Sequence, residues 1–240
     1  MIYSEKYQVR WHDTDARREM RPSAVLECMQ ECANHQFFTH AKSLDRMRDE
    51  DGTGFILSRI AIDFLAPVHA YEEIEVRTAT CAGHGLCFPR RFEILREGEV
   101  VARAMSHWAM VRVGDRTLLR VADAPLCFGD EPEIETATPL RFRVPRELSF
   151  ETVGERRIAY ADLDYNMHMN NTKYPDTVCD FLPDPLENRV RGMSLSYHRE
   201  AAYGDLLSVE RAADGTGNYY IRTKKDGAVC LEAFVRTEPR

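Results

Sequence analysis

The chain repeats itself, and the repeat limits its fold more than any other feature. Asp13-Thr14-Asp15 aligns with Asp162-Leu163-Asp164 at an offset of 149 residues, and the helical segments that follow keep step. Further on, Ile62-Asp63-Phe64 through Glu73-Ile74-Glu75-Val76 aligns with Leu195-Ser196-Tyr197 through Leu206-Leu207-Ser208-Val209 at an offset of 133, so the second copy has a shorter helix and loop. A duplication of this length implies two copies of one supersecondary unit.

Each copy reads as a strand, a polar turn, a helix and a run of strands. In the first, Tyr7 to Trp11 alternates like a strand, and Pro22-Ser23 opens a helix reaching about Ala41. Asp45 to Thr53 reads as a loop, and strand patterns follow at 55–64, 73–81, 87–96 and 100–113, with Glu97-Gly98-Glu99 as a hairpin turn. In the second, 158–160 reads as a short strand, 174–181 as a helix with Pro175 in its first turn, and 193–197, 206–212, 218–223 and 229–236 as strands. Lys225-Asp226-Gly227 is a second hairpin turn. The expected class is α+β: two tandem units at 1–125 and 150–240, each a long helix wrapped by an antiparallel sheet. Residues 126–149 are expected to link them, since Leu119 to Phe142 has three prolines and no periodicity.

Several functions are excluded early. The net charge of −7 argues against a nucleic-acid footprint, and Arg17-Arg18-Arg21, Arg90-Arg91 and Lys224-Lys225 read as solvated surface. No apolar run reaches the length of a membrane span, and the first residues resemble neither a signal nor a transit peptide, so a cytoplasmic protein is expected. Seven cysteines, with no close CxxC pair, read as reduced thiols. Cys28 and Cys32 precede His35 at helical spacing, but without a fourth ligand they read as core; no metal and no cofactor are expected.

The chemistry concentrates in Asp162 to Tyr174. Asp164, Asn166 and His168 stand at alternate positions, so in an extended segment a carboxylate, an amide and an imidazole would share one face. A plainer reading is a polar turn before a helix, with Asn170 or Asn171 as the N-cap. The other copy bears on the choice: Arg17 stands opposite Asn166, Glu19 opposite His168 and Pro67 opposite Glu200, while Asp15 alone matches Asp164. That asymmetry points to one working site, in the second copy.

Asp162-Leu163-Asp164-Tyr165-Asn166-Met167-His168-Met169-Asn170-Asn171-Thr172-Lys173-Tyr174 closely resembles the signature of acyl-acyl carrier protein thioesterases. Tyr197-His198-Arg199-Glu200 resembles that family's Tyr-Arg-Arg-Glu segment, and Leu26 to His35 is similar to its first helix. The resemblance implies a tandem hot-dog fold and hydrolysis of fatty acyl thioesters on acyl carrier protein, the expected partner, with Asp164, Asn166, His168 and Glu200 as the catalytic set. Glu200 with Asp164 would activate water, or Asp164 would attack the carbonyl directly; Asn166 would orient the carboxylates and water and His168 would donate a hydrogen bond, with burial raising the basicity of the carboxylates. Backbone amides near Asn170 and Asn171 would hold the oxyanion. The first unit would line the acyl pocket, with Met29, Cys32, Phe37 and Phe38 as linings or plain core. A homodimer is a further expectation. Where many plant members carry a cysteine after the glutamate, this chain has Ala201, which removes a cysteine nucleophile from that position. Rival readings are a coenzyme A thioesterase, a 3-hydroxyacyl dehydratase or hydratase, and a non-catalytic acyl-binding protein.

Overall fold

A computed structural model describes residues 1–124 and 129–240, so the unit boundary expected at 125–126 lies outside the described residues. In chain order, the first half holds β1 (Tyr3–Gln8), α1 (Pro22–His40), α2 (Leu44–Asp51), β2 (Thr53–Phe64), β3 (Glu73–Thr80), β4 (Phe88–Arg96), β5 (Glu99–Arg112) and the two-residue β6 (Leu118–Leu119). The second holds β7 (Glu151–Arg157), α3 (Tyr174–Asp180), β8 (Asn188–Tyr197), β9 (Leu206–Ala213), β10 (Asn218–Lys225) and β11 (Ala228–Pro239).

All the strands join one antiparallel sheet in the order β1-β3-β4-β5-β2-β8-β11-β10-β9-β7, with β6 paired to β5. The order reads as a palindrome of equivalents: β2 and β8 meet at the centre, from Arg59 opposite Ser196 to Asp63 opposite Gly192. Helices α1 and α3 lie against the same sheet face and touch each other. The duplication and the helix-plus-sheet units are therefore as expected, fused edge to edge into a tandem hot-dog.

Local chemistry explains the elements. Pro22 sits in the first turn of α1, whose inner face buries Leu26, Met29, Cys32 and Ala33. Pro175 does the same for α3. Both hairpin turns use left-handed residues, Glu97-Gly98 and Asp226-Gly227. Three readings are corrected. The segment taken as a loop, Asp45 to Thr53, is mostly α2: Ser43 caps it, Arg46 pairs with Glu50 one turn on, and Gly52 ends it at φ +61°. The first strand stops at Gln8, and Trp11–Asp13 forms a 3-10 turn. The strand expected at 158–160 is the earlier β7, and Tyr160–Asp162 is again a 3-10 turn.

The connecting segment is pinned to the sheet rather than free. Asp63, fully buried near the C-terminal end of β2, accepts hydrogen bonds from the Ala137 and Thr138 amides (2.7 and 2.9 Å), the Thr138 hydroxyl (2.6 Å) and Arg236 Nη2 (3.1 Å). Opposite it stands Gly192, where any Cβ would run into Thr138 Oγ1 and the Arg236 guanidinium. Phe142, Val144, Leu148 and Phe150 then cover Ala212, Tyr220 and Phe234. Tyr220 and Phe234 alternate with core-facing Ile221, Ala233 and Val235, so the connection crosses the sheet face opposite the helices. Asp63→Ala leaves two strap amides without their acceptor and Arg236 without its carboxylate, and is expected to cost about 3–5 kcal/mol. Urea denaturation measures this, and a loss below about 1 kcal/mol would show that the strap holds without Asp63.

Candidate active site

Leu163 to Met169 is not extended. It closes a tight turn in which the Asp164 amide donates to His168 O (2.8 Å) and the Met167 amide to Asp164 O (3.0 Å), with Met167 at φ +66°. Asp164 Oδ1 accepts from the amides of Asn166 (2.8 Å) and His168 (3.3 Å). The first half has the same turn. Asp15 Oδ1 accepts from the amides of Arg17 (2.8 Å) and Glu19 (3.1 Å), and Arg18 stands at φ +65°. The Asp15 and Asp164 carboxylates thus form a turn first, which explains why, of the four catalytic candidates, Asp164 is the one with a like residue in the other copy.

Beneath each turn lies a second conserved device of the fold. Asp13 and Asp162 are buried and accept the amides of Arg10 and Ala159, each at 2.8 Å, while Arg10 and Arg156 pair with them from the side. Burial alone would push the Asp13 carboxyl up, but hydrogen bonds from Arg10 and Tyr7 outweigh it and hold it below its usual range.

The copies differ in what the turn carries. His168 bridges to Ala202, and the Met169 amide donates to Ala201 O (2.7 Å), which brings Glu200 beside the turn. His168 Nε2 then lies 3.4 Å from Glu200 Oε2. Glu19 makes the equivalent bridge to His69, so Pro67 takes the place of Glu200 and no imidazole–carboxylate pair forms there. Glu19 pairs with Arg240 instead, at 2.7 Å.

The first half completes the second half's site. Arg48 of α2 donates from Nη1 to Asn166 Oδ1 (2.9 Å) and stacks its guanidinium over the Tyr165 ring at 5.4 Å. Since arginine only donates, the Asn166 oxygen faces Arg48, and the amide nitrogen is left as a donor toward a ligand. Arg116, on the hairpin joining β5 to β6, holds Glu200 Oε2 at 2.7 Å. The Glu200 side chain is 42% exposed, so the burial expected of this carboxylate is not found; Arg116 surrounds it with charge instead.

One turn before Arg48 on α2, Leu44 lines an apolar cavity of about 50 Å³ with Phe37, Phe55, Phe88, Trp108 and Arg90. Of the expected linings, Phe37 takes part. Met29 and Cys32 are packed in the core, because the face of α1 that carries them turns to the sheet, and Phe38 is 75% exposed on the opposite side. Asn170 caps the 3-10 turn Asn171–Lys173 through its side chain, as the plainer reading anticipated. Of the backbone amides around the expected oxyanion site, those of Asn170, Thr172 and Lys173 are already bonded to Asp162 O, Asn170 Oδ1 and Asn170 O. Arg48, Arg116 and Arg90 escaped the sequence reading, for nothing local marks a cation that works 118 or 84 residues away.

A larger cavity, about 670 Å³, opens at the first half's turn. It is rich in charge, with Asp15, Glu19, Arg21, Asp176, Asp180 and Arg240 on its wall, and it lacks the histidine–glutamate pair. Cys179 borders it, and burial pushes that thiol well above its usual value. Cys28 and Cys32 are likewise buried, with Cys32 pushed up to about 12, and no group of metal-ligating side chains exists among the described residues.

Comparison with known proteins gives the family. The acyl-ACP thioesterase N-terminal domain matches residues 1–126, and the C-terminal domain of the same enzymes matches 148–234. The chain belongs to the acyl-ACP thioesterase family. It is similar to the chloroplastic oleoyl-acyl carrier protein thioesterase 2 of Arabidopsis thaliana, 24% identical in an alignment that covers 85% of this chain and 61% of that one. It is also similar to the dodecanoyl-[acyl-carrier-protein] hydrolase of Cinnamomum camphora, at 22% over 86% of this chain and 58% of the other. The chain therefore spans about three fifths of the length of these relatives. In fold it matches a Bacteroides thetaiotaomicron acyl-ACP thioesterase (TM-score 0.88, 22% identity, 99% of this chain and 98% of that one). The 12:0-ACP thioesterase of Umbellularia californica also matches (TM-score 0.83, 17% identity, 100% and 98%).

The turn makes a direct prediction. Met167 is exposed and left-handed, so Met167→Val, whose β-branch fits that region poorly, is expected to lower stability by roughly 1–2 kcal/mol, whereas Met167→Gly does not. Equal denaturation midpoints for the two variants would contradict the turn.

Proposed function

We propose that this protein hydrolyses the thioester of a fatty acyl chain on acyl carrier protein, releasing the free acid and ending elongation. The observation that carries the reading is the His168–Glu200 pair, built on only one of two otherwise equivalent turns, with an apolar cavity one helical turn from Arg48. Family membership and the names of the relatives support the substrate class.

The chemistry follows from the side chains. The thioester carbonyl enters beside the turn with its alkyl chain toward the Leu44–Phe37–Phe55 cavity. Water attacks the carbonyl carbon, and Glu200 with Asp164 takes its proton, His168 holding Glu200 in register. Asp164 Oδ1 is committed to the turn, and Oδ2, with no hydrogen bond among the described residues, is the oxygen that meets the water. The Asn166 amide nitrogen donates to the developing oxyanion, fixed by Arg48 on its other end. The carbon–sulfur bond then breaks; a thiol of pKa about 8.5 leaves without strong acid assistance and is reprotonated in solution. The site draws on both halves of one chain, so it needs no second copy to be complete.

Asp164→Asn keeps an oxygen for the two turn amides and removes only the charge. Thiol release from acyl carrier substrates is expected to fall by at least about a hundredfold with unchanged circular dichroism. Near-normal turnover would reduce Asp164 to the turn-forming part that Asp15 plays. Cys179→Ala is expected to retain turnover, because its buried thiol is held protonated at the opposite cavity. Loss of activity in that folded variant would overturn the carboxylate scheme. Running the same acyl group on coenzyme A as the alternative carrier tests the partner: faster hydrolysis there would favour the coenzyme A reading.

A further inference from the structure

Arg90 does not behave as surface charge, contrary to the expectation for Arg90-Arg91. It is 4% exposed, and it lines the apolar cavity. Its Nη1 donates to Gln36 Oε1 (2.7 Å) and Thr78 Oγ1 (2.9 Å), both neutral, and its guanidinium lies 5.0 Å from the centre of the Phe37 ring. Its Nη2 is buried without a hydrogen-bond partner, and no carboxylate pairs with it among the described residues. Burial lowers its pKa to about 10, so it remains a cation at neutral pH. On the helical side of the same cavity, Gln30 Nε2 is a second buried donor without a partner among the described residues.

A buried cation with an idle donor is costly unless a ligand uses it. For a chain that takes only hydrocarbon, an apolar residue would serve this wall better. The cation is also remote from the thioester. Arg90 stands opposite Ser106, six residues along β5 from Arg112, where the hairpin bearing Arg116 begins, roughly 20 Å at ordinary strand rise. An acyl chain whose carbonyl sits beside Glu200 would have to extend on that order of length to bring its far end to the Arg90 guanidinium.

We propose that this pocket selects acyl chains carrying a hydrogen-bond-accepting oxygen at their far end, received by Arg90 Nη2 with Gln30 along the way. The proposal rests on the thioesterase reading for its substrate and deepens it from fatty acyl to oxygenated acyl. A terminal hydroxyl accepts one hydrogen bond from the guanidinium, and a terminal carboxylate also neutralises its charge.

The test compares thiol release by the full chain from carrier-bound acyl groups of one length ending in methyl, hydroxyl or carboxylate, alongside calorimetric binding of the three free acids. At least one oxygenated chain is expected to exceed the methyl chain by roughly tenfold or more in kcat/KM, with the matching free acid binding more tightly by a similar factor. Arg90→Met is expected to abolish or invert that ratio. Hydroxyl leading would identify a neutral acceptor, and carboxylate leading a charge partner; both support the proposal. Ratios near one for the unaltered protein on all chains overturn it while leaving the thioesterase reading intact, and this result needs no variant to fold. Absence of thiol release together with selective binding of an oxygenated acid would sink the thioesterase reading and keep the pocket's preference.

Discussion

The antiparallel pairing of β2 with β8 is the constraint on which the rest depends. It converts two units of helix and sheet into one continuous sheet, with α1 and α3 side by side against one face and the connecting strap across the other. The junction also places α2 and the β5–β6 hairpin of the first half over the turn of the second. Arg48 then reaches Asn166 and Arg116 reaches Glu200. Asp63 lies at that junction with its charge met by Arg236 and the strap amides, so the sheet seam and the connection between halves are held by one buried carboxylate.

Duplication separates what the turn needs from what the chemistry needs. Both turns use an aspartate to collect two amides, a left-handed residue three positions later, and a buried aspartate below. These parts are architecture. The imidazole and the second carboxylate occur in one copy only, and the other copy seals its turn with a Glu19–Arg240 ion pair. One half thus carries the proposed reacting groups, while the other contributes the cations Arg48 and Arg116 that touch them and the apolar wall with its buried Arg90. This division of labour is open to a fused pair because each half is free to change where the other is fixed.

Much of this was legible in the sequence because it is local or periodic. The hairpins at Glu97-Gly98 and Asp226-Gly227, the proline-started helices and the repeat offsets follow from backbone preferences that act within a few residues. The nearness of Glu200 to His168 entered only through the family resemblance, and the bridge of His168 to Ala202 in the structure is what brings it about. Alternation misled at Asp164, Asn166 and His168, where a polar triplet looked like one face of a strand but its first member folds the chain back upon itself. The helix α2 was hidden by its charge: it buries little beyond Met47 and relies on its cap and ion pairs rather than an apolar stripe. Long-range partners such as Arg48 and Arg116, and the burial of Arg90, depend on sheet order that no local pattern encodes.

The central claim is that one of two equivalent turns does the work, and it is tested most directly by matched substitutions at the positions that differ. Thiol release from an acyl carrier substrate should fall by about two orders of magnitude or more in His168→Gln and stay within a few fold of normal in Glu19→Gln, both variants remaining folded. Comparable losses in the two variants would contradict a single working turn.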